Sequence, residues 1–395
     1  MINLIIVLIV VLLVLLTSAA RIVQQRQIEK NNGKGTNTEE SAKSGDPLDT
    51  LFFVSDYQYE NGWDQPSDTL TDVMDAVKAD GKTIDMTVVC GDYSNIAGKY
   101  DYQIDPDESV KEIKDIFTSA YSDLEDEDML FVQGNHDQMT SLLAESGLHE
   151  YDDYLVYVLN TEKDFPWSQG KTQGCLAKVT AASEEMKKCF DELISDGETR
   201  PVFIAGHVPL HFTARTSSKH HTGDNMYSSL IFNVVNDAAK SLDIIYLYGH
   251  NHSKGWDCYM GGSSVFKEKG DTILIPEYNE INISTDKYSA ETLNFTYLNA
   301  GYTGYYMNCG PDDLNGNDGQ PDKYDAADET LTGTTFEIYK DSIVITRYSA
   351  DGVHELGHEG EANPYKNGID KDLISSEYYG EETESPQELE LHNAE

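Results

Sequence analysis

Between Thr50 and Tyr248 the chain alternates short apolar runs with longer amphipathic stretches. The runs are TLFFVSD, IDMTVVCGD, DMLFVQGNHD, RPVFIAGHVP and LDIIYLYGHNH, each ending in a polar cluster. Short continuous runs rich in Val, Ile and Phe predict strands buried on both faces. The intervening stretches predict helices over roughly Pro66 to Ala79, Pro106 to Tyr121, Ala181 to Ser195 and Tyr227 to Lys240. Strands alternating with helices indicate an α/β domain, in which functional groups gather beyond the carboxyl ends of the strands. Every polar cluster named above falls there.

After Gly270 the pattern changes to TILIPEY, NFTYLNAGYTGYYM and TTFEIYKDSIVITRY. These predict further strands, expected to be antiparallel, the last as a hairpin joined across Asp341 and Ser342. The Tyr-rich run from Tyr297 to Tyr306 reads as strand and core packing.

The N-terminus is different in kind. INLIIVLIVVLLVLLTSAA carries no charge and is long enough to enter a bilayer, as the core of a signal peptide or as a membrane anchor. Ser18, Ala19 and Ala20 resemble a cleavage site, whereas Arg21, Arg26, Lys30 and Lys34 follow the run and favour a cytoplasmic side after it. The expected organisation is a signal peptide or anchor over 1–20, a flexible linker over 21–48, a folded domain over 49–350 and an acidic tail over 351–395. The protein is then membrane-anchored or secreted. Its acidity and tether favour the extracytoplasmic side.

Charge narrows the partners. The chain has 70 acidic residues against 28 Lys plus Arg, a formal net of -42. Such a surface repels nucleic acid and suits cations. The five cysteines form no C-x-x-C pair, which argues against a structural zinc site.

Five strand ends present, in order, Asp56 with Gln58, Gly91-Asp92, Gly134-Asn135-His136-Asp137, Gly206-His207 and Gly249-His250-Asn251-His252. Each alone is an ordinary turn. Together they assemble carboxylate, carboxamide and imidazole without a competing thiol, the ligand types that suit Mn, Fe, Zn and related ions. Two such ions side by side make a hydroxide and clamp a phosphoryl group.

The ordered set resembles the calcineurin-like metallophosphoesterase superfamily, whose pattern is D-x-H, GD, GNH(D/E), a lone H after a strand, and GH-x-H. The resemblance covers about Thr50 to Tyr348 and departs at one block, where Gln58 stands for the family histidine. It implies a four-layer α/β/β/α sandwich with two mixed β-sheets. It also implies that Asp56, Gln58, Asp92 and His252 hold one metal and that Asn135, His207 and His250, sharing Asp92, hold the second. The implied reaction is hydrolysis of a phosphate ester by a metal-bound hydroxide. His136 would serve the leaving group, with Asp137 orienting its ring. The cofactors are two divalent or mixed-valence ions of the Mn, Fe or Zn kind, and the partner is a phosphorylated substrate. A neutral amide is a poorer ligand than imidazole for these metals, so Gln58 predicts a weaker first site or a harder ion. The same departure favours the alternative of a noncatalytic surface or binding protein with a degenerate first site, while the retained ligands favour the enzyme.

Three residues are candidate substrate contacts: Asn95, His211 and, in a loop with other cations, Arg215. A further segment, PDDLNGNDGQPDKYDAAD, places Asp313, Asn315, Asn317, Asp322 and Asp325 in a pattern like a calcium loop.

Overall fold

The computed structural model describes residues 45–58, 65–94, 106–138, 140–161, 163–165, 175–211, 227–250, 266–276, 288–303, 332–350, 352–354 and 387–392. The main compact body runs from Pro47 to Glu395, and Met1–Asp46 form a separate unit. The apolar N-terminal segment lies outside the described residues, among which no helix is long and apolar enough to cross a membrane.

In chain order the elements are β1 (Asp49–Val54), α1 (Gln65–Ala79), β2 (Met86–Cys90), α2 (Pro106–Ala120), β3 (Met129–Val132), β4 (Gly147–Glu150), β5 (Leu155–Leu159), α3 (Cys175–Asp196), β6 (Val202–Gly206), α4 (Ser228–Ala238) and β7 (Ile244–Tyr248). There follow β8 (Phe266–Lys267), β9 (Thr272–Pro276), β10 (Tyr288–Thr292), β11 (Thr296–Asn299), β12 (Thr332–Ile338), β13 (Ser342–Ser349), β14 (Gly352–His354) and β15 (Gln387–Glu390).

Two sheets carry the fold. The first has seven strands in the order β14-β13-β12-β1-β2-β3, with β15 also paired to β13, and the second has six in the order β4-β5-β6-β7-β11-β8. Both are mixed: β1, β2 and β3 are parallel, as are β5, β6, β7 and β11, while β12 runs antiparallel to β1. β9 and β10 form a separate antiparallel pair.

Alternation along each strand sorts its side chains between layers. In β1, Leu51 and Phe53 enter the core between the sheets, while Phe52 and Val54 face the helices. Phe53 stacks there on Phe203 of the second sheet, ring centroids 5.6 Å apart. On the outer face of the first sheet, α1 buries Leu70, Val73, Met74 and Val77, and α2 buries Val110, Ile113 and Phe117. These positions recur at three and four residues, one stripe of a helix. Burial of each such side chain contributes about 1.5–3 kcal/mol before entropy is counted. Val179, Ala182, Met186 and Phe190 of α3, with Ile231, Phe232 and Val235 of α4, do the same on the second sheet. Three seams of core therefore separate four layers, α/β/β/α.

Three departures from the sequence reading have physical causes. Helix α3 begins at Cys175 rather than near Ala181, because Cys175, Val179 and Ala182 continue its buried stripe. β11 is parallel to β7, not antiparallel, since it completes the core of the second sheet beside Tyr246 and Tyr248. The end of the acidic tail belongs to the folded domain, beyond its expected limit at 350: β15 pairs with Ser342–Ile345, Leu389 and Leu391 pack on the core between the sheets, and His392 N–H donates to Asp243 Oδ2 at 2.8 Å. Its alternation places every second side chain half-buried, which explains how so acidic a strand docks.

Candidate metal centre

Strands β1 and β2 are adjacent and parallel, so their carboxyl ends deliver Asp56 and Asp92 to one edge. The turns beyond them are tied together: Asp56 N–H donates to Gly91 O at 2.9 Å and Gln58 N–H to Asp92 O at 2.8 Å. Here Asp56, Gln58 and Asp92 take φ of 53°, 49° and 53°, and His250 takes 67°. A left-handed backbone costs a non-glycine residue about 1–2 kcal/mol, and such residues cluster where function overrides local preference.

The second sheet supplies the imidazoles. β6 and β7 are neighbours, and beyond them Gly249 N–H donates to His207 O at 2.9 Å. His207 Nδ1 lies 2.8 Å from Cys90 O. A carbonyl only accepts, so Nδ1 holds the proton and Nε2 faces the cluster. Nε2 is 3.2 Å from Asp92 Oδ2 and 3.0 Å from Asn135 Oδ1, and that same oxygen is 2.7 Å from His250 Nδ1. Ligand atoms of Asp92, His207 and His250 all lie within 4.8 Å of one another.

Asp56 closes on this group through the backbone, its two oxygens 2.9 and 3.2 Å from the His250 nitrogen. Only glycine permits that approach at position 249, where a Cβ would stand 1.7 Å from Ser55 Oγ and 2.7 Å from Asp56 Oδ2. Asp56, Asp92, His207 and His250 are at most 1% exposed, and Gln58 is 4% exposed. Burial by itself disfavours a charged His207, yet the charge and hydrogen bond of Asp92, helped by Asp56 and the Cys90 carbonyl, push the imidazole up to about 9. Burial likewise raises the Asp92 carboxyl, but the charges of His207 and His136 and their hydrogen bonds outweigh it and hold it well below the usual carboxylate range.

The family profile described as calcineurin-like phosphoesterase matches residues 50–254 of the 395. The chain belongs to the calcineurin-like phosphoesterase family. It is accordingly a metal-dependent phosphoesterase, a hydrolase. No curated protein sequence matches this phosphoesterase. Among solved structures it is similar to a dimetal phosphatase from Danio rerio, at 10% identity and TM-score 0.44, covering 78% of this chain and 98% of that one. It is also similar to a purple acid phosphatase from yellow lupin (Lupinus luteus) seeds, at 11% identity and TM-score 0.43, covering 78% and 52%. A third similar structure is a predicted phosphoesterase from Streptococcus pneumoniae TIGR4, at 12% identity and TM-score 0.30, covering 78% and 92%.

The residues of this phosphoesterase fit the metal chemistry of its family. Asp92 Oδ2 and Asn135 Oδ1 converge on His207 Nε2, and Asn135 Oδ1 also meets His250 Nδ1. Such a cluster is satisfied by a cation, either the second proton of His207 or a metal ion in its place, and carboxylate, amide and imidazole are the donors that divalent ions take. His207 is oriented by a carbonyl behind it, the usual arrangement of a ligating histidine.

Of the remaining candidates, His136 is half-buried, with its N–H donating to Asp92 Oδ1 at 2.8 Å. Asp137 ties backbone groups of two loops. Its Oδ2 accepts the N–H groups of Asp92 and Gly134, each at 2.7 Å, and its Oδ1 accepts Ser94 N–H at 3.1 Å. A buried carboxylate ringed by backbone donors holds the two loops together. His211 is buried, with Nδ1 2.7 Å from Tyr297 Oη; burial and the nearby charge of Lys267 depress it to about 3. His252, Asn95, Arg215 and the calcium-like residues Asp313 to Asp325 lie outside the described residues. Tyr57 and Tyr93 both pack in the helix-facing core, where Tyr57 donates to Glu112 and Tyr93 Oη lies 3.1 Å from Gln138 O.

Sequence reasoning missed the Cys90 carbonyl, which accepts Ser55 Oγ–H at 2.8 Å as well as His207 Nδ1–H, and it missed Ser94. A backbone oxygen carries no side-chain signal. Only the glycine after Cys90 hints at the close approach.

Proposed function

We propose that this site hydrolyses a small soluble phosphate ester at a dinuclear metal centre. Asp56, Gln58, Asp92 and His252 would hold one ion, and Asn135, His207 and His250, with Asp92 shared, would hold the other. When bound, such a pair supplies an activated water and positive charge for the phosphoryl oxygens. The chain's own part is positioning. Asp92 stays ionised among imidazoles, His207 keeps its proton on Nδ1 so that Nε2 is a donor atom, and the Asp137 ties fix the loop that carries Asn135. His136 lies on that same loop and provides the proton for the leaving oxygen from its ring. A net charge of -42 disfavours polynucleotides far more than small esters. The apolar N-terminal segment would tether or export the domain to the extracytoplasmic side, which protease accessibility in intact cells tests.

The convergence of Asp92, Asn135, His207 and His250 carries this function. The full chain, stripped of metal and reloaded, should hydrolyse an aryl phosphate monoester or diester only when metal is restored. Asp92→Ala should lose at least about a hundredfold, more than the loss of an outer partner of a ligand. Absence of metal-dependent turnover of either ester, with two ions measured bound, overturns the proposal in favour of a binding protein.

A further inference from the structure

The carboxyl end of β5 is a further strand end on the edge that carries the candidate ligands. Leu159 lies opposite Gly206 in the parallel pairing of β5 and β6, so Asn160 follows β5 as His207 follows β6. Asn160 and Thr161 are at most 2% exposed, and both turn to Gln133, the residue just ahead of Gly134 and Asn135. Asn160 Oδ1 accepts the Gln133 N–H at 2.7 Å, and the Gln133 carbonyl accepts Thr161 Oγ–H at 2.6 Å and Thr161 N–H at 3.2 Å. The Asn160 amide donates to Ala144 O at 2.9 Å and to Ser146 Oγ at 3.1 Å, which fixes which way the side chain faces. Gln133 in turn reaches along its own loop, its Nε2 donating to Asp137 O at 3.2 Å. β3 is the last strand of the first sheet, and the backbone beyond it is met by the end of β5 in place of a neighbouring strand.

This network governs a distance. Asp137 ties the loop to Asp92 and so to the first sheet. Asn135 on that loop also meets His207 and His250 of the second sheet, at 3.0 and 2.7 Å. Asn160 and Thr161 fix the backbone of the loop to the second sheet, one strand away from His207. Given the metal centre proposed above, we infer that Asn160 and Thr161 are positioning residues for the hydrolysis. They act through Gln133, setting how far Asn135, and His136 beside it, stand from His207. Without the Thr161 hydroxyl, two hydrogen bonds rather than three hold Gln133 to β5, and Asn135 Oδ1 no longer keeps a single place between the two imidazoles.

The test reads metal first and turnover second. The full chain and its variants, in detergent and freed of metal, are titrated with Co²⁺ and followed by the visible absorption of the bound ion. Thr161→Val keeps the shape of the side chain and removes its hydrogen bond. Its Co²⁺ affinity should fall about tenfold, the low end for an outer partner of a ligand, and Thr161→Ser should restore it. Asn160→Ala should lose at least as much. At saturating Co²⁺, Thr161→Val should lower kcat more for an alkyl phosphate, whose leaving oxygen needs the proton, than for an aryl phosphate, with KM unchanged. A chain lacking residues 387–395 controls for general loss of stability, because it loses only the pairing of β15 with β13. Unchanged Co²⁺ affinity in Thr161→Val, no rescue by Thr161→Ser, equal losses on the two esters, or an equal fall in the shortened chain overturns the inference and leaves the centre standing. An unaltered chain that binds no Co²⁺ overturns the centre itself and this role with it. Should Asn160→Ala fail to fold, the two Thr161 variants decide alone.

Discussion

At the carboxyl ends of β1, β2 and β7 the chain turns left-handed on Asp56, Gln58, Asp92 and His250. The turns at the opposite ends of such strands place glycine where the backbone takes that sign, as at Gly81 before β2 and Gly197 before β6. The two ends also differ in what holds them. At the metal end, buried side chains bond to backbone, as when Asp137 gathers the N–H groups of Asp92, Gly134 and Ser94. At the far end, partly exposed ion pairs and a docked C-terminal strand suffice: Arg200 lies 2.6 Å from Glu198, and His392 pairs with Asp243 just before β7. One end keeps a strained geometry against its local preferences. The other only closes the layers, and does so with interchangeable parts.

Four substitutions separate the ends. Asp137→Ala leaves three backbone N–H groups without their buried acceptor, at about 1–3 kcal/mol for each unmet donor, so a loss of at least about 3 kcal/mol is expected in chemical denaturation together with lost metal binding. A stable Asp137→Ala that still binds metal would show that the loops hold themselves. Gly249→Ala forces a Cβ against Ser55 and should cost about 1–3 kcal/mol, partly recovered by adding Ser55→Ala. Gly81→Ala meets nothing within 4 Å and should lose only the cost of its φ of 79°, about 1 kcal/mol. Equal losses at the two glycines would erase the distinction.

Removing residues 387–395 takes away β15 and the packing of Leu389 and Leu391. Thermal denaturation should show a loss of about 2 kcal/mol, with kcat unchanged. A fall in kcat would mean that the far end reaches the centre.

The smallest effect concerns acid. Side-chain hydrogen bonding from Arg200 is the main cause holding the Glu198 carboxyl down, at about 2 against its ordinary 4.5. A depressed acid stabilises the fold above its unfolded value, and that contribution fades as pH falls from about 4.5 towards about 2. Glu198→Gln should therefore flatten the acid limb of stability in that window by about 1 kcal/mol and leave pH 7 metal content intact.

Much of this contrast could be read in the chain. Strand ends announce themselves because a buried run must stop before a charged residue, and five of the stops carry ligand chemistry. The four-layer arrangement followed from the family resemblance and is matched by the three seams of core. The partner of β11 was not legible, since so short a strand as TYLN fits either direction and only the open side of β7 decides. The backbone partners of Asp137 were not legible either: nothing in GNHD reveals three amides from two loops. Gln58 was visible as a departure, but its burial and its tie to Asp92 emerge only from the fold.

The candidate metal-binding side chains come from two sheets, with Asp56, Asp92 and Asn135 beyond the strands of the first and His207 and His250 beyond those of the second. A nascent chain that has left the ribosome only as far as Asp137 exposes an acidic half-cradle without a single imidazole from the second sheet. Metal binding that needs His207 and His250 therefore waits until synthesis has passed β7.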